Sequence, residues 1–257
     1  MLWTGNNTAR TITGVEFKPD YVWVKCRTNG HDHQLTDSIR GVGKALRANE
    51  TDAEDDWGSG GMGVFVNGGF VLNDTSNGRY NENSQTFVAW CWKGGGTAVS
   101  NSDGTITSQV SANQEAGFSV VSYTGNGTAG ATVGHGLGKK PAWIILIRRD
   151  SADNRYVYHQ FMNQGSNPEQ HYSELNFHGG ATDSNKIHND TAPTTSVFSL
   201  SNDNASNGNT YPYIAYCWAE IPGYSKFGEY RATGIDTKGP YIHLGSVSYT
   251  HLRAHET

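Results

Sequence analysis

Cysteine, clustered charge and long apolar runs are all scarce in this chain. Three cysteines in 257 residues are too few for the disulfide framework of a small secreted scaffold, and all three are expected to be reduced. Charged residues make up 17% and the formal net charge is −5. No Lys/Arg cluster exceeds a pair such as Lys139-Lys140 or Arg148-Arg149. A phosphate backbone would find no electrostatic footprint, which argues against a nucleic-acid partner. No apolar run approaches the roughly 20 residues of a membrane span, so no membrane partner is expected, and no signal peptide precedes Trp3. Catalytic signatures are missing too. There is no Gly-x-Ser-x-Gly, phosphate-binding loop, dinucleotide fingerprint or paired zinc-ligand spacing, so no catalytic residue, metal or cofactor is nominated.

What the chain has is glycine, 32 of them, and aromatics at 11%. Gly, Asn, Asp, Ser and Thr fill the gaps between short apolar runs, the composition of an all-β protein with many turns. It also has a repeat. Trp3-Thr4-Gly5-Asn6, Lys18-Pro19, the run from Tyr21 to Lys25, and Phe87-Val88-Ala89-Trp90-Cys91-Trp92 return in order. Their counterparts are Tyr123-Thr124-Gly125-Asn126, Lys140-Pro141, Trp143 to Ile147, and Tyr213-Ile214-Ala215-Tyr216-Cys217-Trp218. The offset grows from 120 at Trp3 and Tyr123, through 122 at Pro19 and Pro141, to 126 at Cys91 and Cys217. A period this long is that of a domain, not of a solenoid unit.

The expected architecture is a pair of tandem antiparallel β-sandwich domains of jelly-roll-like type. Residues 2–93 form the first, its leading strand cut short, and residues 117–229 the second. The polar, Gly/Ser/Asn-rich stretch 94–116 reads as a linker with one weak strand candidate at 105–110. Residues 230–246 begin a third, truncated copy. Residues 247–257 resemble the translated read-through of a transposase sequencing adapter; they are set aside, and His251 and His255 with them. The run 87–93 is apolar on both faces and reads as a central, doubly covered strand. Only residues 37–46 invite a helical turn, and two glycines weaken it.

Four segments carry a family resemblance: Thr4-Gly5-Asn6; Pro19-Asp20-Tyr21-Val22-Trp23-Val24-Lys25; Asp32-His33-Gln34-Leu35-Thr36-Asp37-Ser38-Ile39-Arg40-Gly41; and Tyr213 through Tyr230. Together they resemble a tandem-repeat domain family of tailed-phage virion proteins, of tail-fibre or structural type, frequent in marine phages. The resemblance extends over residues 2–245 and carries no catalytic motif. It implies a non-enzymatic structural or adhesion module of an extracellular virion particle. Its partners would be other virion proteins or further copies of itself, with contacts to host-surface glycans. The alternative is a carbohydrate-binding accessory module of a larger secreted or virion-borne glycan hydrolase.

Candidate contact residues follow from sandwich logic: strands are committed to packing, so ligand chemistry falls to the loops. Trp23, Trp90, Trp92, Trp143 and Trp218 stand in strands at repeat-equivalent sites and read as core. Trp57 sits in the polar loop Glu54-Asp55-Asp56-Trp57-Gly58-Ser59-Gly60, as an exposed contact or a loop anchor. His31 and His33 would share one face of an extended segment, two ligands short of a metal site. The segments 29–33, 55–60 and 163–172 are the favoured loops, with Trp57, His31, His33, His171 and Tyr172 as the ligand-binding candidates. The Asn/Asp stretches 73–78 and 201–208 lack calcium-loop spacing and read as hairpin turns. Asp37 and Arg40 are placed for a local ion pair in a segment that the second copy does not keep.

Overall fold

A computed structural model describes residues 1–73 and 78–230. Most of the Asn/Asp stretch 73–78, the body of the third copy and the 247–257 tail with His251 and His255 lie outside the described residues. The first copy contains β1 (Leu2–Thr4), β2 (Arg10–Thr13), β3 (Tyr21–Cys26), β4 (Gln34–Asp37), β5 (Lys44–Arg47), β6 (Asp55–Asp56), β7 (Met62–Val66), β8 (Gly69–Leu72) and β9 (Thr86–Trp92). The chain continues through β10 (Val99–Asn101) and β11 (Ser108–Asn113). The second copy contains β12 (Phe118–Thr124), β13 (Thr132–Gly134), β14 (Trp143–Arg148), β15 (Arg155–His159), β16 (His171–Glu174), β17 (Thr182–Asp183), β18 (Val197–Ser199) and β19 (Pro212–Trp218).

The protein is an all-β sandwich built twice. One large sheet runs β1-β9-β3-β4-β5-β6 and the other β10-β11-β12-β19-β14-β15-β16-β17. Without β10 and β11 the two orders correspond, with β12 standing for β1, β19 for β9 and β14 for β3. Each large sheet is backed by a small one, β2-β8-β7 in the first copy and β13-β18 in the second. All strand ladders among the described residues are antiparallel.

Strand alternation explains how one sheet serves two cores. On β3, Val22, Val24 and Cys26 face the small sheet and pack with Ile12, Phe65, Phe70, Phe87 and Ala89. Tyr21 faces the opposite way, into a central core with Phe118, Val120, Ile145, Ile147 and Tyr216 of the second copy. A third core, around Val121, Ile144, Leu146, Phe198 and Ala215, lies under β13-β18. The two copies therefore pack large sheet against large sheet and share their middle core. Rings dominate it: Tyr21 stacks on Tyr216 at 4.2 Å and on Phe118 at 5.8 Å, and Trp92 meets Trp218 edge-on at 5.7 Å. Such pairs add about 0.5–1.5 kcal/mol each beyond their burial.

Polar groups lock the same interface. Arg40 is buried and donates to Asp37, to Glu54 at 3.1 Å, to the Leu35 carbonyl at 2.8 Å and to the Tyr216 hydroxyl at 3.1 Å. That hydroxyl donates to Asp37 at 2.8 Å. Burial alone would lower the Arg40 pKa, but Asp37, Tyr216 and Glu54 overcome it and raise the pKa. Glu54, also held by Arg149, is lowered despite its burial. Backbone bonds add to the seam, from Glu54 N–H to the Arg149 carbonyl and from Asp153 N–H to that of Thr51, both 2.8 Å. The buried Arg155 guanidinium donates to the carbonyls of Arg47, Thr51 and Asp52. The Asp37–Arg40 segment, present only in the first copy, thus bonds across the seam to Tyr216 of the second.

The Thr-Gly-Asn signature also has a physical reason, the same in both copies. Asn81 Nδ2 donates to Asn6 Oδ1 at 3.1 Å and to the Thr8 carbonyl at 2.9 Å, and Asn207 Nδ2 donates to Asn126 Oδ1 at 3.2 Å and to the Thr128 carbonyl at 2.9 Å. This clasp brings backbone against backbone. A Cβ on Gly5 would stand 1.9 Å from the Glu82 carbonyl oxygen, and one on Gly125 2.3 Å from that of Gly208.

Several expectations need correction. Residues 94–116 hold β10 and β11, which extend the second large sheet at the β12 edge. Glycine is required there by close approach, since a Cβ on Gly95 would sit 2.4 Å from the Ala112 carbonyl oxygen. The helical turn anticipated over 37–46 is instead the β4–β5 connection followed by β5. The stretch 201–208 is no hairpin: it carries the chain from β18 in the small sheet to β19 in the large one.

Candidate functional site

The loops favoured by sequence meet different fates. Around 29–33 the structure gathers a polar cluster at the open end of β3. Lys25 donates to the His31 carbonyl at 2.7 Å, His31 Nε2 lies 2.8 Å from Glu82 Oε2, and Asn29 donates to the same oxygen at 3.1 Å. Those two side-chain bonds hold the Glu82 carboxyl below its ordinary value. His33 turns inward: its Nδ1 accepts from Trp23 Nε1 at 2.8 Å, which leaves the ring proton on Nε2. Burial, aided by Lys25 and opposed by Asp32, lowers the His33 pKa. Asn49 ties the loop down, accepting from His33 N–H at 2.8 Å and donating to Asp32 at 3.0 Å. His31 and His33 therefore have separate partners, and the cluster is pinned by its own hydrogen bonds.

Trp57 behaves as a loop anchor. Its N–H donates to the Gly43 carbonyl at 2.9 Å, its Cβ lies 3.3 Å from where a Gly61 Cβ would stand, and Arg79 stacks over its half-buried ring at 4.9 Å. His171 and Tyr172 lie on β16, where they pair with Asp183 and Thr182 of β17. Tyr172 packs edge-on against Tyr156 at 5.4 Å. His171 and Tyr172 thus stand on a strand, not in a free loop, and on a different sheet from the one whose β3–β4 connection carries His31 and His33.

The residue that sequence reasoning assigned to the core and the structure exposes is Trp90, at 46%. Its ring meets Trp23 edge-on at 6.2 Å, on the face of β9 that also carries Val88 and Trp92. The doubly covered central strand is β19, where Tyr216 takes the position of Trp90 and is fully buried. The repeat carried no signal for this, since both strands have one apolar pattern; the difference lies in the neighbours, three residues of β1 beside β9 and seven of β12 beside β19.

Two grooves flank the 94–116 hairpin. One of about 410 Å³ is lined by Val99, Val110, Asn101, Gln114, Thr195 and Ser196 among others. The other, of about 550 Å³, runs past Lys18, Asp20, Lys93, Asn113 and Glu115. They share Gly95, Ala112 and Gln114, so they form neighbouring stretches of one depression in which amides, hydroxyls and carboxylates are set among apolar surface. Among the described residues no three His, Cys, Asp or Glu side chains are grouped to hold a metal ion. No helix among them is long and apolar enough to cross a membrane.

A family match spans residues 1–249, both copies and the hairpin between them. The chain belongs to the family described as Domain of unknown function (DUF7483). No curated protein and no solved structure matches it. The DUF7483 match takes in the shared central core, the small sheets behind it and the exposed Trp90 face.

Proposed function

We propose that this DUF7483 chain is a non-enzymatic structural and adhesion module of a phage virion, similar in role to a tail-fibre segment. The observation that carries the reading is the fusion of two homologous sheets through one aromatic and ionic core. Such a unit resists separation and suits a repeated mechanical element better than a pair of beads on a tether. The motif resemblance over residues 2–245 supports the same role. Mass spectrometry and antibody labelling of purified particles from a phage encoding the protein test it. The chain is expected at a fixed copy number per particle, and its absence from particles would refute the assignment.

A second reading, a carbohydrate-binding accessory module, is favoured by the depression beside residues 94–116. Amides and hydroxyls such as Asn101, Gln114, Thr195 and Ser196 are the groups that bind sugar hydroxyls. Glycan-array binding that Asn101→Ala with Gln114→Ala removes, while Trp57→Ala leaves it unchanged, would place the contact there.

A further inference from the structure

We propose that the part of the first large sheet that the described residues leave uncovered, centred on Trp90, is a self-association face that takes the same face of a second copy of this chain. The proposal specifies the self-association named above and rests on the face itself, so it stands or falls independently of the virion assignment.

The argument begins with alternation. Trp92, Trp90 and Val88 of β9 lie on one face, as do Tyr21 and Trp23 of β3, and register pairs Tyr21 with Trp92 and Trp23 with Trp90. Leu2 of β1 is opposite Val88 on that face. At one end of this surface Tyr21 is fully buried and Trp92 packs beneath the second copy. One step along the strands Trp90 emerges at 46% exposure, and beyond it Leu2 stands at 69%. The exposed side chains are an unbroken continuation of the central core and not a separate patch.

The chain itself shows what such a face packs on. Among the described residues its cover comes chiefly from the corresponding face of the homologous sheet, through Phe118, Ile145, Ile147 and Tyr216. A surface that is complementary to its own repeat suits an isologous two-fold contact, in which Trp90 of each copy lies over the other's Val88 and Leu2. A glycan fits less well. The polar groups at the margin are already spent: Lys25 on the carbonyls of Asn29 and His31, Asn29 and His31 on Glu82, and the Trp23 indole on His33. Sugar recognition needs such groups free for hydroxyls, whereas an apolar sheet face needs only a matching apolar partner.

Sedimentation velocity on the whole chain from about 10 μM to about 1 mM tests the proposal, because a face of a few side chains is expected to bind weakly. The wild type should pass from monomer to dimer across that range. Trp90→Glu and, separately, Leu2→Lys should each raise the dissociation constant at least about tenfold, through an uncompensated charge in the contact. Val64→Glu, at an exposed apolar position of β7 in the small sheet, should leave it unchanged. Leu2→Lys keeps the test informative if Trp90→Glu folds poorly. A wild type that stays monomeric throughout, or dimers that both variants leave intact, would overturn the proposal. So would a monomer that binds glycan through Trp90.

Discussion

Trp90 and Tyr216 occupy the same position in the same strand of two homologous sheets, yet one ring is 46% exposed and the other is fully buried. Strand order, alternation and the Asn clasp are alike on both sides, so the difference comes from what each sheet packs against. The face of the second sheet is covered around Tyr216 by the Asp37–Arg40 corner, whereas the described residues cover the first sheet at its Tyr21 and Trp92 end and leave Trp90 exposed. Duplication supplied two equal faces, and offset packing left part of one open.

The largest test of that contrast is a pair of alanines. Tyr216→Ala removes a buried ring, its stack on Tyr21 and the hydroxyl that links Arg40 with Asp37. A loss of about 3–5 kcal/mol is expected, the range for emptying a buried aromatic site. Trp90→Ala should cost about 1 kcal/mol or less in the monomer, since half of its ring is already in water. Denaturant unfolding of both variants at low protein concentration measures the gap, and equal losses would mean that Trp90 is as buried as its counterpart.

The next effect comes from histidine. His135 and His188 are buried in the second copy, while the buried polar residues described in the first copy include none. Burial pulls both down to about 4, against weaker opposing bonds to the carbonyls of Thr194 and Ser199. A folded pKa below the unfolded one, about 6.5, means that the unfolded state takes up the proton first. Their contribution is complete above about pH 6.5, is lost as the pH falls towards 4 and changes little below that. Each can remove on the order of 3 kcal/mol over that interval. Titration of the imidazole signals by NMR decides the matter: midpoints near 6.5 would contradict the buried neutral rings.

Much of this was legible. The repeat predicted two homologous β-sandwich copies because the same residues recur with the same alternation, and Thr-Gly-Asn stood out as a recurring segment although the clasp behind it did not show in the sequence. What the sequence could not convey is which surface covers which. A strand apolar on both faces announces burial without naming its neighbour, so Trp90 and Tyr216 read alike. The pairing of Arg40 with Asp37 is local, but its bond to Tyr216 spans 176 positions. Strand β10 escaped notice and β11 registered only as a weak candidate at 105–110, because both are short and interrupted by polar residues; backbone bonding to β12 places β11 and through it β10, and hydropathy barely records that. His171 and Tyr172 looked free because polar flanks suggest loops, whereas the β16–β17 ladder is a contact across the fold; between exposed contact and loop anchor, the Arg79 stack favours the anchor for Trp57.

The clasps should respond alike. Asn81→Ala removes the side-chain bonds to Asn6 and Thr8, and Asn207→Ala those to Asn126 and Thr128, so each is expected to cost about 1 kcal/mol per net hydrogen bond lost. Thermal unfolding of the two variants measures both, and an unchanged midpoint in either would sink the explanation.

The smallest effect separates β1 from β12. Met1 and Ala89 exchange both backbone bonds, which fixes the ladder so that Trp3 faces β9 while the amides of Leu2 and Thr4 point away from it. With β1 at the end of its sheet order, those two N–H groups meet no strand among the described residues. In the second copy β12 lies between β11 and β19, so amides on both sides of the strand enter ladders. Exchange at an unpaired edge amide needs no opening of a ladder, whereas exchange in β12 requires the sheet to part. Hydrogen exchange at residues 2–12 should then run ahead of that at 119–133 under conditions where the protein stays monomeric. If β1 is instead protected as well as β12 at low concentration, a partner strand within the chain must cover it. If protection appears only as concentration rises, the second copy docked on the Trp90 face extends over the β1 edge as well.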